Sequence, residues 1–176
     1  MLVTGPVQSP RVLDSRIVAL SDSAIPETRQ PHHAGTGALE TDTVKVADRI
    51  KIVERCAIRS VAKLLQDYHR LGFNLRGAAL AVGSLVEPTT IANPQIRAHA
   101  FEGRLFRTVL EQALRAGGLA SRAVIERNAY AEAAAVLRIT EDKLKRSVSR
   151  LSHSETGPWR AEQKMAALVA WMVLVA

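Results

Sequence analysis

Apolar positions in this chain recur at helical spacing over much of its length, and only in short runs over its first forty residues. Across 42–71, Val46, Ile50, Val53, Ala57, Val61, Leu64, Tyr68 and Leu71 step by three or four, which lays a stripe along one side of a helix. Lys45, Arg49, Lys51, Arg55, Arg59 and Lys63 fall away from that stripe. Thr41 or Asp42 can accept from the first free backbone N–H groups, and Gly72 suits the end of the helix. Asn93-Pro94 predicts a second start, since proline at the first helical position lacks only an N–H that would be unpaired anyway. That helix runs to about Ala116, with Ile96, Ala100, Gly103, Phe106, Leu110 and Ala113 on one face, and Gly117-Gly118 ends it. Three more helices are predicted at about 129–138, 140–152 and 159–175. Thr140 opens the middle one, with Glu141 and Asp142 where negative charge complements the helix dipole, and Gly157-Pro158 opens the last.

Two apolar runs are too short to be helices of their own. Residues 75–84 and 122–126 read as buried strands. Residues 1–40 differ from the rest: Pro6, Pro10, Pro26 and Pro31 divide short β-rich runs, of which Arg16–Leu20 is the clearest, and His32-His33 reads as loop. This region is expected to hold short strands or a loosely ordered segment. Strands alternating with helices imply an α/β fold with parallel neighbours in its sheet. At 176 residues, against roughly 150 per domain, one domain is expected.

Composition narrows the chemistry. A single cysteine, Cys56, excludes a disulfide framework and a cysteine-rich zinc site. It lies near the apolar stripe of the first helix, where a buried inert thiol is the plainer reading than a nucleophile. Lys and Arg number 24 against 17 Asp and Glu, a formal charge of +7, which favours polyanionic partners such as DNA or RNA. The N-terminus has neither a basic region nor a long apolar run, so no secretory signal is expected. The longest apolar stretch, Met165–Ala176, is about half of what a membrane-spanning helix needs. These features predict a cytoplasmic protein with no membrane partner.

The order of elements resembles the ribonuclease H-like fold, and within it the bacterial Holliday-junction resolvases of the crossover type. The segments that carry the likeness are Arg49–Val53, Ile96–Leu119, Val124-Ile125-Glu126 with Tyr130–Ala134, Glu141–Val148 and Glu162–Ala170. Together they span about residues 45–172. The resemblance implies a mixed sheet flanked by helices and a phosphodiester hydrolase. It also implies two divalent ions, Mg²⁺ or Mn²⁺, held by carboxylates at strand ends and on the last helix. The chain departs from that pattern at each position. Thr4 and Gly5 stand where the first acid belongs, Val82-Gly83-Ser84 where the second belongs, and Glu162 is followed by Lys164 and Met165. A lysine there would repel the cation. The expectation is a resolvase-like scaffold, catalytically inactive, that binds nucleic acid. The alternative is a metal-dependent nuclease with a rearranged acidic set drawn from Asp14 or Asp22, Glu87, Glu126 and Glu162. A third reading is a protein-interaction module that forms a homodimer.

The expected nucleic-acid contact is Lys143, Lys145, Arg146, Arg150 and Arg127, with Arg122 and Arg138 nearby, because lysine and arginine neutralise phosphates without regard to sequence. A solvated helix face is the alternative for the same residues. Glu126 and Glu162 have equally ordinary explanations, as a strand-end ion pair with Arg127 and as a helix-dipole complement. His99 and Glu102, three apart on one helix, could hold a metal or share a proton, but a surface ion-pair network with Arg97 and Arg104 is simpler. His32-His33 lacks a third ligand. Residues 77–83 lack phosphate-loop spacing. Trp159 and Trp171 are expected as core or interface anchors rather than stacking platforms for bases.

Overall fold

In the computed structural model, residues 1–35, 37–151 and 159–175 are described. The strands are β1 (Leu2–Thr4), β2 (Arg11–Asp14), β3 (His33–Ala34), β4 (Ala38–Leu39), β5 (Ala78–Val82) and β6 (Ser121–Ile125). The helices are α1 (Thr43–Arg70), α2 (Pro94–Ala116), α3 (Ala129–Leu137), α4 (Glu141–Arg150) and α5 (Ala161–Val173). The fold is mixed α/β. Among the described residues no helix is long and apolar enough to cross a membrane.

The chain is laid out as two units, one of Met1–Ile17, Leu75–Gly83 and Ala120–Ala176, the other of Val18–Asn74 and Ser84–Leu119. In the first, β5 and β6 pair in parallel, Ala78 opposite Ser121 through Val82 opposite Ile125. α5 packs on β5, on β1 and on α3 and α4. Its burial follows from its composition, since Ala167, Leu168, Val169, Trp171 and Met172 are all buried. Leu168, Val169, Trp171 and Met172 join Val124, Ala129, Ala133, Leu137, Leu144 and Val148 in one core. The buried Trp171 indole satisfies its N–H by donating to the Val7 carbonyl at 2.8 Å. Trp159 likewise donates to the Val148 carbonyl at 2.8 Å. Both indole N–H groups are therefore committed to backbone carbonyls.

In the second unit α1 and α2 pack side by side, with Val53, Ala57 and Val109 at the centre and Leu20, Leu105 and Phe106 against them. Asp42 caps α1 by accepting from the N–H groups of Val44 and Lys45, and Asn93 caps α2 by accepting from Ile96. Gly117 follows α2 because a Cβ there would run into the Leu65 side chain. Cys56 is buried.

Three expectations about the strands need revision. Arg16–Leu20 is not a strand: β2 ends at Asp14, opposite Leu2, and nothing pairs beyond it. Ile17 is 99% exposed, while Leu20 packs onto the α1–α2 core. His33 lies not in plain loop but in the β3–β4 ladder, opposite Leu39. The described strands pair as three separate two-stranded ladders, β1–β2, β3–β4 and β5–β6, rather than as one mixed sheet. At the end of α1 the apolar stripe stops one residue early, and Leu71 is exposed as the C-cap. The Gly157-Pro158 helix start lies outside the described residues.

Candidate nucleic-acid interface

The basic set assembles on α4. Leu144 and Val148, four apart, are both fully buried, and they pin one side of this ten-residue helix to the core. A helix turns about 100° per residue, so the side chains away from that pair point toward solvent. Lys143, Lys145, Arg146 and Arg150 are all exposed. Lys145 lies 3.8 Å from Glu141 and sits over the Tyr130 ring, 5.8 Å from its centroid. Lys143, Arg146 and Arg150 have no ion-pair partner among the described residues. Thr140 sets the start of the helix, its hydroxyl accepting from the Lys143 N–H.

The outlying basic residues differ from one another. Arg127 is exposed on the Glu126–Asn128 turn that precedes α3. Arg122 is paired with Glu132 at 3.3 Å. Arg138, exposed, joins α3 to α4 in the left-handed region, at φ 55° and ψ 43°.

The acidic candidates are dispersed by their local partners. Asp14 is ion-paired with Arg16. Asp22 accepts from the Ala24 N–H and orders the turn before Thr28. Glu87 is exposed and ion-paired with Arg104, a surface pair of little energetic weight. Glu126 and Glu162 are exposed, each in the first turn of its helix. Among the described residues no three His, Cys, Asp or Glu side chains are grouped to hold a metal ion.

The two histidine features treated separately in the sequence come together. Glu102, on α2, is buried, and one oxygen accepts from the His32 backbone N–H at 2.6 Å and meets His33 Nδ1 at 3.2 Å. An ionised carboxylate only accepts, so this contact calls for the proton on His33 Nδ1. His32 Nδ1 stands 3.5 Å from the other carboxylate oxygen, a contact too long for a good hydrogen bond. His32 Nδ1, His33 Nε2 and Glu102 Oε2 are buried without a hydrogen-bond partner among the described residues. His33 and the exposed His99 have ring centroids 4.7 Å apart, and His32 stacks on Phe101. Arg49, expected on a solvated face, instead donates to the Pro31 and His33 carbonyls and to Glu40, and so closes the same loop onto α1. Glu102 is thus not part of the surface network expected with Arg97 and Arg104. Arg97 donates to the Ile91 and Ala92 carbonyls instead. What the geometry shows this cluster doing is structural: it ties the 31–34 segment to α2.

No protein-family model matches the chain, and no curated protein or solved structure matches it significantly.

Proposed function

We propose that this chain is a nucleic-acid-binding protein that contacts phosphates through the exposed side of α4 and does not cleave them. One observation carries the reading: Leu144 and Val148 are sunk in the core while Lys143, Lys145, Arg146 and Arg150 all stand in solvent on the same short helix. Such a face supplies sequence-independent affinity by releasing counterions. The net charge of +7 acts in the same direction.

For a ribonuclease H-like, resolvase-like framework, the support is the order of elements and the parallel β5–β6 ladder connected through α2. The separate β1–β2 and β3–β4 ladders count against it. The nuclease alternative loses ground because Asp14 and Glu87 are ion-paired with arginines, and no three His, Cys, Asp or Glu side chains are grouped to hold a metal ion among the described residues.

The test is a mobility-shift titration at low salt with linear and branched DNA and with RNA. Binding that falls at least ten-fold when Lys143, Lys145, Arg146 and Arg150 are all changed to Gln supports the reading. Absence of binding to every nucleic acid at low salt would refute it. Cleavage in the presence of Mg²⁺ or Mn²⁺ would restore the nuclease.

A further inference from the structure

The α4 surface is not an isolated basic helix. α3 and α4 are joined by only three residues, Arg138, Ile139 and Thr140. Arg138 takes the left-handed conformation that reverses the chain sharply, a conformation usually reserved for glycine. Ile139 then turns in and packs against the core, and Thr140 caps the next helix. Ala129 and Ala133 on α3 are fully buried, and residues this small let neighbouring helices approach closely. Leu137 on α3, Leu144 and Val148 on α4, and Leu168 and Met172 on α5 share the same core. Each of the three helices packs on the other two. Two short helices linked by a three-residue turn and braced by a third match, in order and length, the helix-turn-helix motif, whose second helix enters a DNA major groove.

We propose that α3, the Arg138–Thr140 turn and α4 form a helix-turn-helix reader of double-stranded DNA, with α4 as the recognition helix and Arg146 and Asp142 facing base edges. The proposal rests on the nucleic-acid reading above and names its substrate. At ten residues α4 is about 15 Å long, a length that lies across a major groove about 12 Å wide. At 100° per residue, the direction opposite Leu144 and Val148 is occupied by Arg146, with Asp142 and Arg150 about 40° to either side, all exposed. Arg150 and, beyond it, Lys143 lie on one side of Arg146, and Ser149 and Lys145 on the other, so that basic side chains fall on both flanks, where phosphates of the two groove walls would lie. Arg146 can donate two parallel hydrogen bonds to a guanine edge, and Asp142 can accept from a cytosine amino group. Glu141 and Asp142 repel phosphates, so the leading end of α4 is better suited to bases than to backbone. Single-strand readers use aromatic platforms, and the exposed face of α4 carries no aromatic residue.

The test is selection of binding sites from a library of random duplexes by the full chain, followed by titration of the selected duplex, an unrelated duplex and single strands of the same sequences. The expected result is a short consensus in the duplex. Arg146→Ala and Arg146→Lys should each lower selectivity for it by about ten-fold or more, because Lys keeps the charge but loses the two-pronged contact. Lys143→Gln should weaken both duplexes equally and reduce the salt slope by about one. Both positions are exposed, so thermal unfolding of all three variants should match that of the parent. Duplex binding without a consensus, an Arg146→Lys protein that keeps full selectivity, or a preference for single strands would overturn the helix-turn-helix assignment while leaving nucleic-acid binding in place. Failure to bind any nucleic acid would remove both.

Discussion

Arg138 occupies a conformation that costs an L-residue with a side chain roughly 1 kcal/mol or more, and its side chain is exposed with nothing buried to offset that cost. Glycine there would relieve the strain while giving back some chain entropy in the unfolded state. We expect Arg138→Gly to raise stability by about 0.5–1 kcal/mol in urea unfolding; a loss would mean the turn is not left-handed. Asp42 carries a second prediction. The Lys45 N–H bonded to its carboxylate, with the Lys45 charge and the Val44 N–H behind it, holds its pKa below the ordinary carboxylate value. A carboxyl group whose pKa is depressed on folding adds stability that is complete above the unfolded value and is lost as pH falls through the folded one. Asn keeps the capping acceptor but does not titrate. Asp42→Asn should therefore flatten the fall in urea midpoint between about pH 5 and 3; an unchanged acid limb would count against the cap. The role of Glu102 is hidden in the sequence for a simple reason. Its partners His32 and His33 lie some seventy residues away, and an i,i+3 spacing with His99 suggested a local surface pair instead. Glu102→Ala leaves the part-buried His32 N–H without its acceptor and should cost about 1–3 kcal/mol, with faster hydrogen exchange at that amide.

Helices were the most legible elements. α1, α2, α3 and α4 begin and end within about two residues of where caps, glycines and periodicity place them, because those signals act within a turn or two of the chain. The α3–α4 unit was hidden as a unit for the same local reason. A glycine would have announced the turn, but Arg138 stands in its place. The signal present was the set Ala133, Leu137, Ile139, Leu144 and Val148, whose spacing buries both helices on one core. Leu144 is the pin of α4, and it is wholly buried. Leu144→Ala should cost about 2–5 kcal/mol in chemical denaturation. The short strands were the least legible. Arg16–Leu20 has β propensity, yet propensity decides little where no partner strand is available, and Leu20 is used for packing instead.

Across the whole molecule, charge sets a measurable expectation. If Lys143, Lys145 and Arg150 each meet a phosphate while Arg146 meets bases, the logarithm of affinity should fall against the logarithm of salt with a slope of about −3. A slope near zero in fluorescence anisotropy would reject a phosphate-binding face. The candidate basic surface was visible in the sequence as Lys143, Lys145, Arg146 and Arg150, since exposed lysines and arginines follow directly from where Leu144 and Val148 must be buried. The acidic candidates were not separable there. Asp14, Glu87, Glu126 and Glu162 have the chemistry of metal ligands, and only their placement beside Arg16, beside Arg104 or in solvent assigns them other surroundings. What the sequence by itself determined was the kind and rough extent of each helix, the β5 and β6 strands and the basic character of α4, because these depend on neighbours within a few residues. Tertiary structure alone decided that the strands form three ladders, that Glu102 meets two distant histidines, and that α3 and α4 share one core. Those contacts join residues far apart in the chain, where periodicity carries no information.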